Sequence, residues 1–460
     1  MQILKQEKMS KTKVGIVSLG CPKNRVDSEV MLGILGNDGY EIVADPKDAH
    51  IIIVNTCAFI DDAKEESINT VLEMAEYKKG NCKYLLMTGC LAERYHSEIL
   101  EELPEVDAVL GTGDYHKIAE AIKEVSEGKK PVLWGNMDDD IPEGFPRLVS
   151  TGGHTAYLKI SDGCDNKCTY CIIPKLRGKY RSRPIEDIVA EAGELAKSGV
   201  KEIILIAQDT TRYGYDLYGK EMLSVLLKKL CEIKELHWIR VHYMYPESIT
   251  DSMIEVFKKE QKIVKYMDIP IQHINDRVLK RMGRKNTKEK TVKLLRKLRK
   301  EIPDLTIRTT LIAGFPGETE EEFSELLEFV KEMKFEKLGA FAYSKEEGTA
   351  AAILPEQLDE EVKVLRRDML MEVQSVISNE LQNARIGKVL EVICEGYDED
   401  NLMYVGRSQA DSLEIDGRVY FAANDEVKCG EFVNVRILDA DNYDCTGVQT
   451  DEEEQDEYSK

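Results

Sequence analysis

Between residues 156 and 384 the chain repeats one pattern six times, a short strand-like run followed by a helical period. The runs are AYLKI (156–160), EIILIA (202–207), WIRVHYM (238–244), VKYMDI (264–269), LTIRTTLI (305–312) and KLGAFAY (337–343). Alternation of this kind implies parallel pairing, because each helix returns the chain to the edge from which the strand began. Six units fall short of the eight of a closed barrel. The pattern therefore predicts an open, partial (βα)6 TIM-like barrel over 150–383, with its chemistry on loops at the C-terminal strand ends.

Two regions flank that barrel. Before it, VGIVSL (14–19), HIIIVN (50–55), KYLLMT (83–88) and VDAVLG (106–111) alternate with helical periods and predict an open parallel α/β domain over 12–128. Residues 129–153 are rich in Gly, Pro and Asp without period, and read as a linker. After a helix over 359–383, the segments KVLEVICEGY, MYVGRS, GRVYFAA and FVNVRILDA alternate with period two between Gly and Asp turns. They predict a small antiparallel β-barrel over 384–451, of oligonucleotide/oligosaccharide-binding type. The tail DEEEQDEYSK has no apolar residue to bury and is expected to be disordered.

The first residues, MQILKQEKMS, contain no apolar stretch, and no run of about 18 apolar residues occurs, so no membrane partner and a cytoplasmic location are expected. In that compartment the 11 cysteines point to metal or redox chemistry rather than a disulfide framework. The net charge of −22 repels phosphates and attracts basic proteins. From Ala384 onward seven Lys or Arg face 20 Asp or Glu, so the C-terminal module is acidic.

The cysteines fall into two sets. In DGCDNKCTYC, directly after the first barrel strand, Cys164, Cys168 and Cys171 share one tight loop. Three thiolates on a cube of four irons leave one iron open, the iron–sulfur counterpart of a catalytic metal with a vacant position. A structural zinc would want a fourth ligand, and the nearest histidine, His154, lies at the far end of the strand; inert thiols would be unusual in so polar a loop. The second set, Cys21, Cys57 and Cys90, is dispersed, yet each follows a strand of the N-terminal domain, so all three could gather on one sheet edge around a second cluster. Three unrelated buried cysteines remain the alternative. Cys82 precedes its strand and is excluded from that edge, lying roughly 20 Å away at about 3.3 Å per residue. Cys231, Cys394, Cys429 and Cys445 have no evident role.

The Cys164 loop resembles the CxxxCxxC signature of radical S-adenosylmethionine enzymes, with Tyr170 just before its third cysteine, and the likeness extends across the barrel. LGCPKN (19–24), NTCAFI (55–60) and TGCLAE (88–93) resemble the cysteine motifs of the methylthiotransferase family, and the C-terminal barrel resembles its TRAM domain. This resemblance implies two 4Fe–4S clusters and S-adenosylmethionine. One molecule of the latter would methylate sulfur at the N-terminal cluster, and a second would give a 5′-deoxyadenosyl radical at the barrel cluster, so both clusters must face one cavity. It also implies that Tyr170 packs near adenine, that Gln208 and Asp209 meet the methionine amino group, and that Gly314 of GFPGE lets backbone approach the cofactor. Each has a plainer reading, as loop core, strand end and βα turn. Gln272 and His273 also stand at a strand end, where a structural histidine is the simpler reading.

Two branches of the family share all six cysteines, one acting on a transfer-RNA adenosine and the other on an aspartate of small-subunit ribosomal protein twelve. GCPKNRVDSE, YLKISDGCD, AQDTTRYG, YPESIT, DIPIQH and GRSQADSLEIDGRV resemble the ribosomal-protein branch. An RNA-binding barrel should be basic and carry stacking aromatics, whereas this acidic one suits a basic ribosomal protein as partner rather than transfer RNA, or serves solubility alone. The basic stretch RKNTKEKTVKLLRKLRK (284–300) reads as a solvated helix face over a stripe of Val292, Leu294, Leu295 and Leu298. Lys175, Arg177, Lys179, Arg181 and Arg183 follow the cluster loop and suit either a target carboxylate or structural pairing. A non-catalytic electron carrier is the remaining class, but such proteins complete each cluster with four ligands. Sulfur source and electron donor are not legible.

Overall fold

The computed structural model describes residues 11–139, 141 and 144–451; the first ten residues and the acidic tail from 452 lie outside the described residues. The chain forms two compact units, 1–149 with 162–165 and 171–181, and 150–161 with 166–170 and 182–460.

The first unit is built on a parallel sheet of order β2-β1-β3-β4-β5-β6, formed by β1 (Lys13–Ser18), β2 (Glu41–Ile42), β3 (Ile51–Thr56), β4 (Tyr84–Gly89), β5 (Ala108–Leu110) and β6 (Val132–Leu133). Strand β3 is buried at every residue, which is why it reads as a continuous β-branched run rather than an alternation. Ile51 and Ile53 enter the core under helices Pro22–Asn37 and Ile118–Ser126, whereas Ile52 and Val54 enter the core under helix Asp61–Glu76. The stretch expected to be a linker differs from that expectation. It supplies β6, donates Gly135 N–H to Asp114, and pairs Arg147 with buried Glu29 at 2.5 Å. Lack of periodicity there marked irregular backbone, not lack of contact.

In the second unit β7 (Thr155–Lys159) leads to a two-residue ribbon, β8 (Ser161–Asp162) with β9 (Arg181–Ser182), at the base of the cysteine loop. The sheet continues with β10 (Glu202–Ile206), β11 (Trp238–Val241), β12 (Ile263–Asp268), β13 (Thr306–Ala313) and β14 (Lys337–Ala342), in order β14-β13-β12-β11-β10-β7. All pairs are parallel and neighbours in space are neighbours in sequence, the open six-unit barrel that the strand–helix repeat predicts.

Helix Glu360–Asn383 leads into a closed barrel of β15 (Val389–Asp398), β16 (Met403–Ser408), β17 (Val419–Ala422), β19 (Cys445–Gln449) and β18 (Phe432–Ala440). The fifth strand, CTGVQ, was not anticipated, being short and half polar. The β16–β17 connection reaches the parallel sheet: Ser412 lies 2.8 Å from His242, Asp416 accepts from the Tyr266 hydroxyl at 2.7 Å, and Asp411 pairs with Lys337 at 2.7 Å. Fully buried Glu202 accepts from both Arg240 (2.9 Å) and Arg407 (2.7 Å), and this pairing holds its carboxyl below the usual range despite burial. None of the helices among the described residues is long and apolar enough to cross a membrane.

Candidate metal centres

Strands β1, β3 and β4 are adjacent and in register, with Ser18 opposite Asn55 and Thr56 opposite Gly89. Cys57 and Cys90 follow two directly paired residues, and Cys21 follows the third strand and caps helix Pro22–Asn37. Cys82 precedes β4 and donates to Tyr84 O at 3.3 Å, so it stands at the strand's other end. Close approach is written into the glycines. A Cβ on Gly20, at φ +84°, would stand 2.8 Å from Cys57 Cβ and 2.9 Å from its sulfur. Burial pushes the Cys57 thiol up, with the charge of Cys21 adding to the rise. Burial likewise pushes Cys90 up to about 12; Arg177 opposes the rise, and Cys21 and Cys57 reinforce it. The three sulfurs therefore lie within electrostatic reach of one another.

Fully buried Arg177 is the cation of this triad. It donates to Asp27 at 2.8 Å and Asp162 at 3.1 Å, and to the Asn24 side chain, which in turn accepts from Cys90 Sγ at 3.8 Å. Burial works against its charge, yet Asp162 and Asp27, with Cys90 and Cys21 behind them, hold it well above its ordinary range. Asn24 also donates to Leu19 O and Thr56 O, tying the first cysteine turn to the second. Ser67 grips Cys57 through both its amide and its carbonyl, each at 3.0 Å.

On the barrel loop, Gly163 (φ +77°) lets the chain pass under Lys179, whose carbonyl would stand 1.9 Å from an added Cβ. The Cys164 amide donates to Gly178 O at 3.1 Å, and Cys168 Sγ lies 3.9 Å from the Tyr245 hydroxyl. Asn166 donates to Asp209 at 2.9 Å, and Thr169 binds Met282 O and Arg281 O through amide and hydroxyl. Among the described residues no group of three His, Cys, Asp or Glu is arranged around a single-ion position. A mononuclear zinc draws its ligands to about 2.3 Å, whereas a four-iron cube holds each thiolate at its own corner. All six of these cysteines are free thiols, the donor chemistry that a thiolate-held cube takes.

Four further residues stand at or near the barrel's C-terminal strand ends. Tyr170 packs half-buried against Val278, Met282, Phe315, Tyr343 and Ala351. Gln208 is half-buried at the end of β10. Asp209 is buried and accepts from Thr211 as well as Asn166; burial pushes its carboxyl up while those two bonds oppose the rise. Gly314 (φ +73°) is required by Lys363, whose side chain would stand 2.6 Å from an added Cβ, and its amide donates to buried Glu318. Of the basic residues after the loop, Lys179 pairs with Asp138 and Arg183 with Glu191, while Arg181 donates to the Asp139 carbonyl; Lys175 is exposed.

Three domain families match the chain: an uncharacterized family, UPF0004, over residues 13–111, the radical SAM superfamily over 158–330, and the TRAM domain over 386–449. The ribosomal protein uS12 methylthiotransferase RimO of Clostridioides difficile is 54% identical over 436 residues, covering 95% of this chain and 98% of that protein. The proteins of that name from Thermoanaerobacter sp. (52% identity, 94% and 99% covered) and Clostridium tetani (51%, 96% and 99%) agree. The chain belongs to the RimO family of methylthiotransferases.

It is thus a radical SAM transferase whose cofactors are S-adenosylmethionine and 4Fe–4S clusters. Solved structures share the fold at low identity. The radical S-adenosylmethionine methyltransferase TsrM of Kitasatospora setae aligns with TM-score 0.53 at 14% identity, covering 73% of this chain and 75% of that one. The cobalamin-dependent radical enzyme OxsB aligns with TM-score 0.52 at 13% identity, over 79% and 56%. Sequence reasoning missed the buried polar frame of Asn24, Asp27 and Asp162, because nothing in a sequence marks which polar residues become buried. The one available signal was their place within or beside the cysteine motifs.

Proposed function

We propose that this chain inserts a methylthio group at the β-carbon of an aspartate in ribosomal protein uS12, with Cys164, Cys168 and Cys171 holding one cluster and Cys21, Cys57 and Cys90 the other. The observation that carries this reading is the gathering of Cys21, Cys57 and Cys90 at three adjacent strand ends around Arg177, since a second thiolate triad is what sulfur insertion needs beyond radical generation. When bound, the two clusters supply one-electron cleavage of S-adenosylmethionine and an iron open to sulfur.

The chain's own residues prepare these sites. Thiols pushed up by burial must lose their protons to become ligands, so Arg177 offsets the charge that appears as they do. Asp27 and Asp162 orient Arg177, and Asn24 fixes the turn that carries Cys21. On the barrel loop, Asn166 and Thr169 are tied to Asp209 and Arg281, which holds the backbone that presents Cys168. The relatives' substrate and the acidic C-terminal barrel support a basic protein target over RNA.

The test is anaerobic reconstitution followed by reaction with isolated uS12 and, separately, with transfer RNA. A gain of one methylthio group on the protein alone is expected, and a gain on RNA alone would reverse the choice. Iron per chain should halve when Cys21, Cys57 and Cys90 are all replaced by alanine; an unchanged content would remove the second cluster.

A further inference from the structure

The protein carries −22 overall, yet residues 280–300 hold eleven Lys or Arg against one acid, Glu289. Neighbouring carboxylates answer part of this charge. Lys288 pairs with Glu325, Arg296 with Glu332, Lys297 with Asp251 and Arg299 with Glu336. Lys285, Lys290, Lys293 and Lys300 are exposed, and none of the described residues gives them a carboxylate partner. Along helix Lys288–Glu301, Lys290, Lys293 and Lys300 fall on one face with the paired Lys297, at spacings of three and four where like charges repel.

Its position is informative. The helix runs back between β12 and β13, so its first turns stand at the C-terminal strand ends. The segment leading into it packs on the cysteine loop: Thr169 N donates to Met282 O, and an added Cβ on Gly283 would stand 2.4 Å from Lys167 O. Lys288, Lys293 and Arg296 line a groove with Asp276, Glu289 and Val292, and Asp276 is already engaged by the Lys288 amide at 2.7 Å. No large apolar side chain is exposed between 284 and 300. A protein interface would offer an apolar centre, whereas bare lysines suit phosphates.

We propose that this lysine face binds the phosphate backbone of RNA surrounding the protein substrate, so that the enzyme engages its target on an assembled ribosomal particle. The inference rests on the reading of uS12 as substrate. Phosphate contacts fix register and orientation without reading sequence, and the acidic remainder of the chain confines RNA to this rim.

The experiment compares the holoenzyme with Lys290→Ala/Lys293→Ala, whose exposed positions leave folding intact. Binding of a fluorescein-labelled fragment of small-subunit ribosomal RNA is followed by anisotropy across salt concentrations. The variant should bind roughly tenfold more weakly at low salt, with the slope of log K against log salt reduced by about 2. Methylthiolation of isolated uS12 should be unchanged, and that of assembled small subunits reduced. Equal RNA affinity in the two proteins would overturn the proposal, as would equal losses on isolated and assembled substrate. Failure of wild type on both substrates would sink the uS12 reading instead, and the anisotropy result would still decide whether the face binds RNA.

Discussion

Replacing Arg177 by Gln removes a cation that faces two buried carboxylates, Asp27 and Asp162, and the cysteines Cys90 and Cys21. Its guanidinium bonds Asp27 at 2.8 Å and Asp162 at 3.1 Å, and its side chain is 2% exposed, so water cannot stand in for it. Breaking a buried ion pair from one side costs about 3–5 kcal/mol. At roughly 2–4 °C per kcal/mol for a unit of this size, the thermal midpoint should fall by about 6–20 °C. A second effect falls on the cluster. Arg177 opposes the rise of the Cys90 thiol, and each further pKa unit disfavours the thiolate by about 1.4 kcal/mol, or tenfold in ligand availability at fixed pH. The assay pairs a thermal melt with iron retained under chelator after reconstitution. Adding Asp27→Asn and Asp162→Asn should recover much of the stability but not the iron. A single variant that melts within two or three degrees of wild type, with full iron, would refute the assignment of Arg177 as the triad's counter-ion.

Gly20→Ala should lose the first-unit cluster while keeping the barrel cluster, since the new methyl group would collide with Cys57; iron and sulfide analysis should show about half the wild-type content. Cys82→Ala should leave iron content unchanged, because its sulfur sits beyond the opposite end of β4, and a loss of iron would contradict the ligand set. Acid should loosen the second unit. Glu202 and Asp411 both ionise below their ordinary range, so the stability they contribute is full above an unfolded pKa near 4 and lost as pH falls through the depressed folded values. Melts from pH 7 to 3 should therefore drop steeply below about pH 4, and Glu202→Gln should be weaker at pH 7 with a shallower acid limb.

The longer strands of both parallel sheets were legible as short apolar runs, most plainly β3 and β10, which are rich in β-branched residues and buried at every position. Strands β2 and β6 were not, since two residues carry no periodicity, and β19 was hidden by its polar half. The six cysteines were legible for different reasons. Three lie within eight residues, whereas Cys21, Cys57 and Cys90 are visible only to a reader who counts strand–helix repeats. Arg177 stood among five basic residues of equal claim, and only burial against Asp27, more than a hundred residues earlier in the chain, distinguishes it. Gly314 carries a second reading. A glycine at a strand end suggests approach by a cofactor, yet helix Glu360–Asn383 already supplies a reason through Lys363.

The acidity of the C-terminal barrel needs the same correction before it is used as an argument for a basic partner. Four of its acids face inward: Asp411 toward Lys337, Asp416 toward Tyr266 and Arg308, Glu395 toward Arg407, and Glu391 toward His237 and Trp238. Asp411, Asp416 and Glu391 join the barrel to the parallel sheet, and Glu395 is paired within the barrel, so each of the four already has a partner. Two of the module's basic residues, Arg385 and Arg407, are tied down with them, Arg385 against Asp411 and Arg407 against Glu202. Setting both groups aside leaves 11 acids against four bases over residues 384–451, so the excess of acid over base there falls only from nine to seven. The acidic module and the lysine face then divide the work by sign. On the proposed function the module would attract a basic protein from a distance, and the lysine face would meet the phosphates around it.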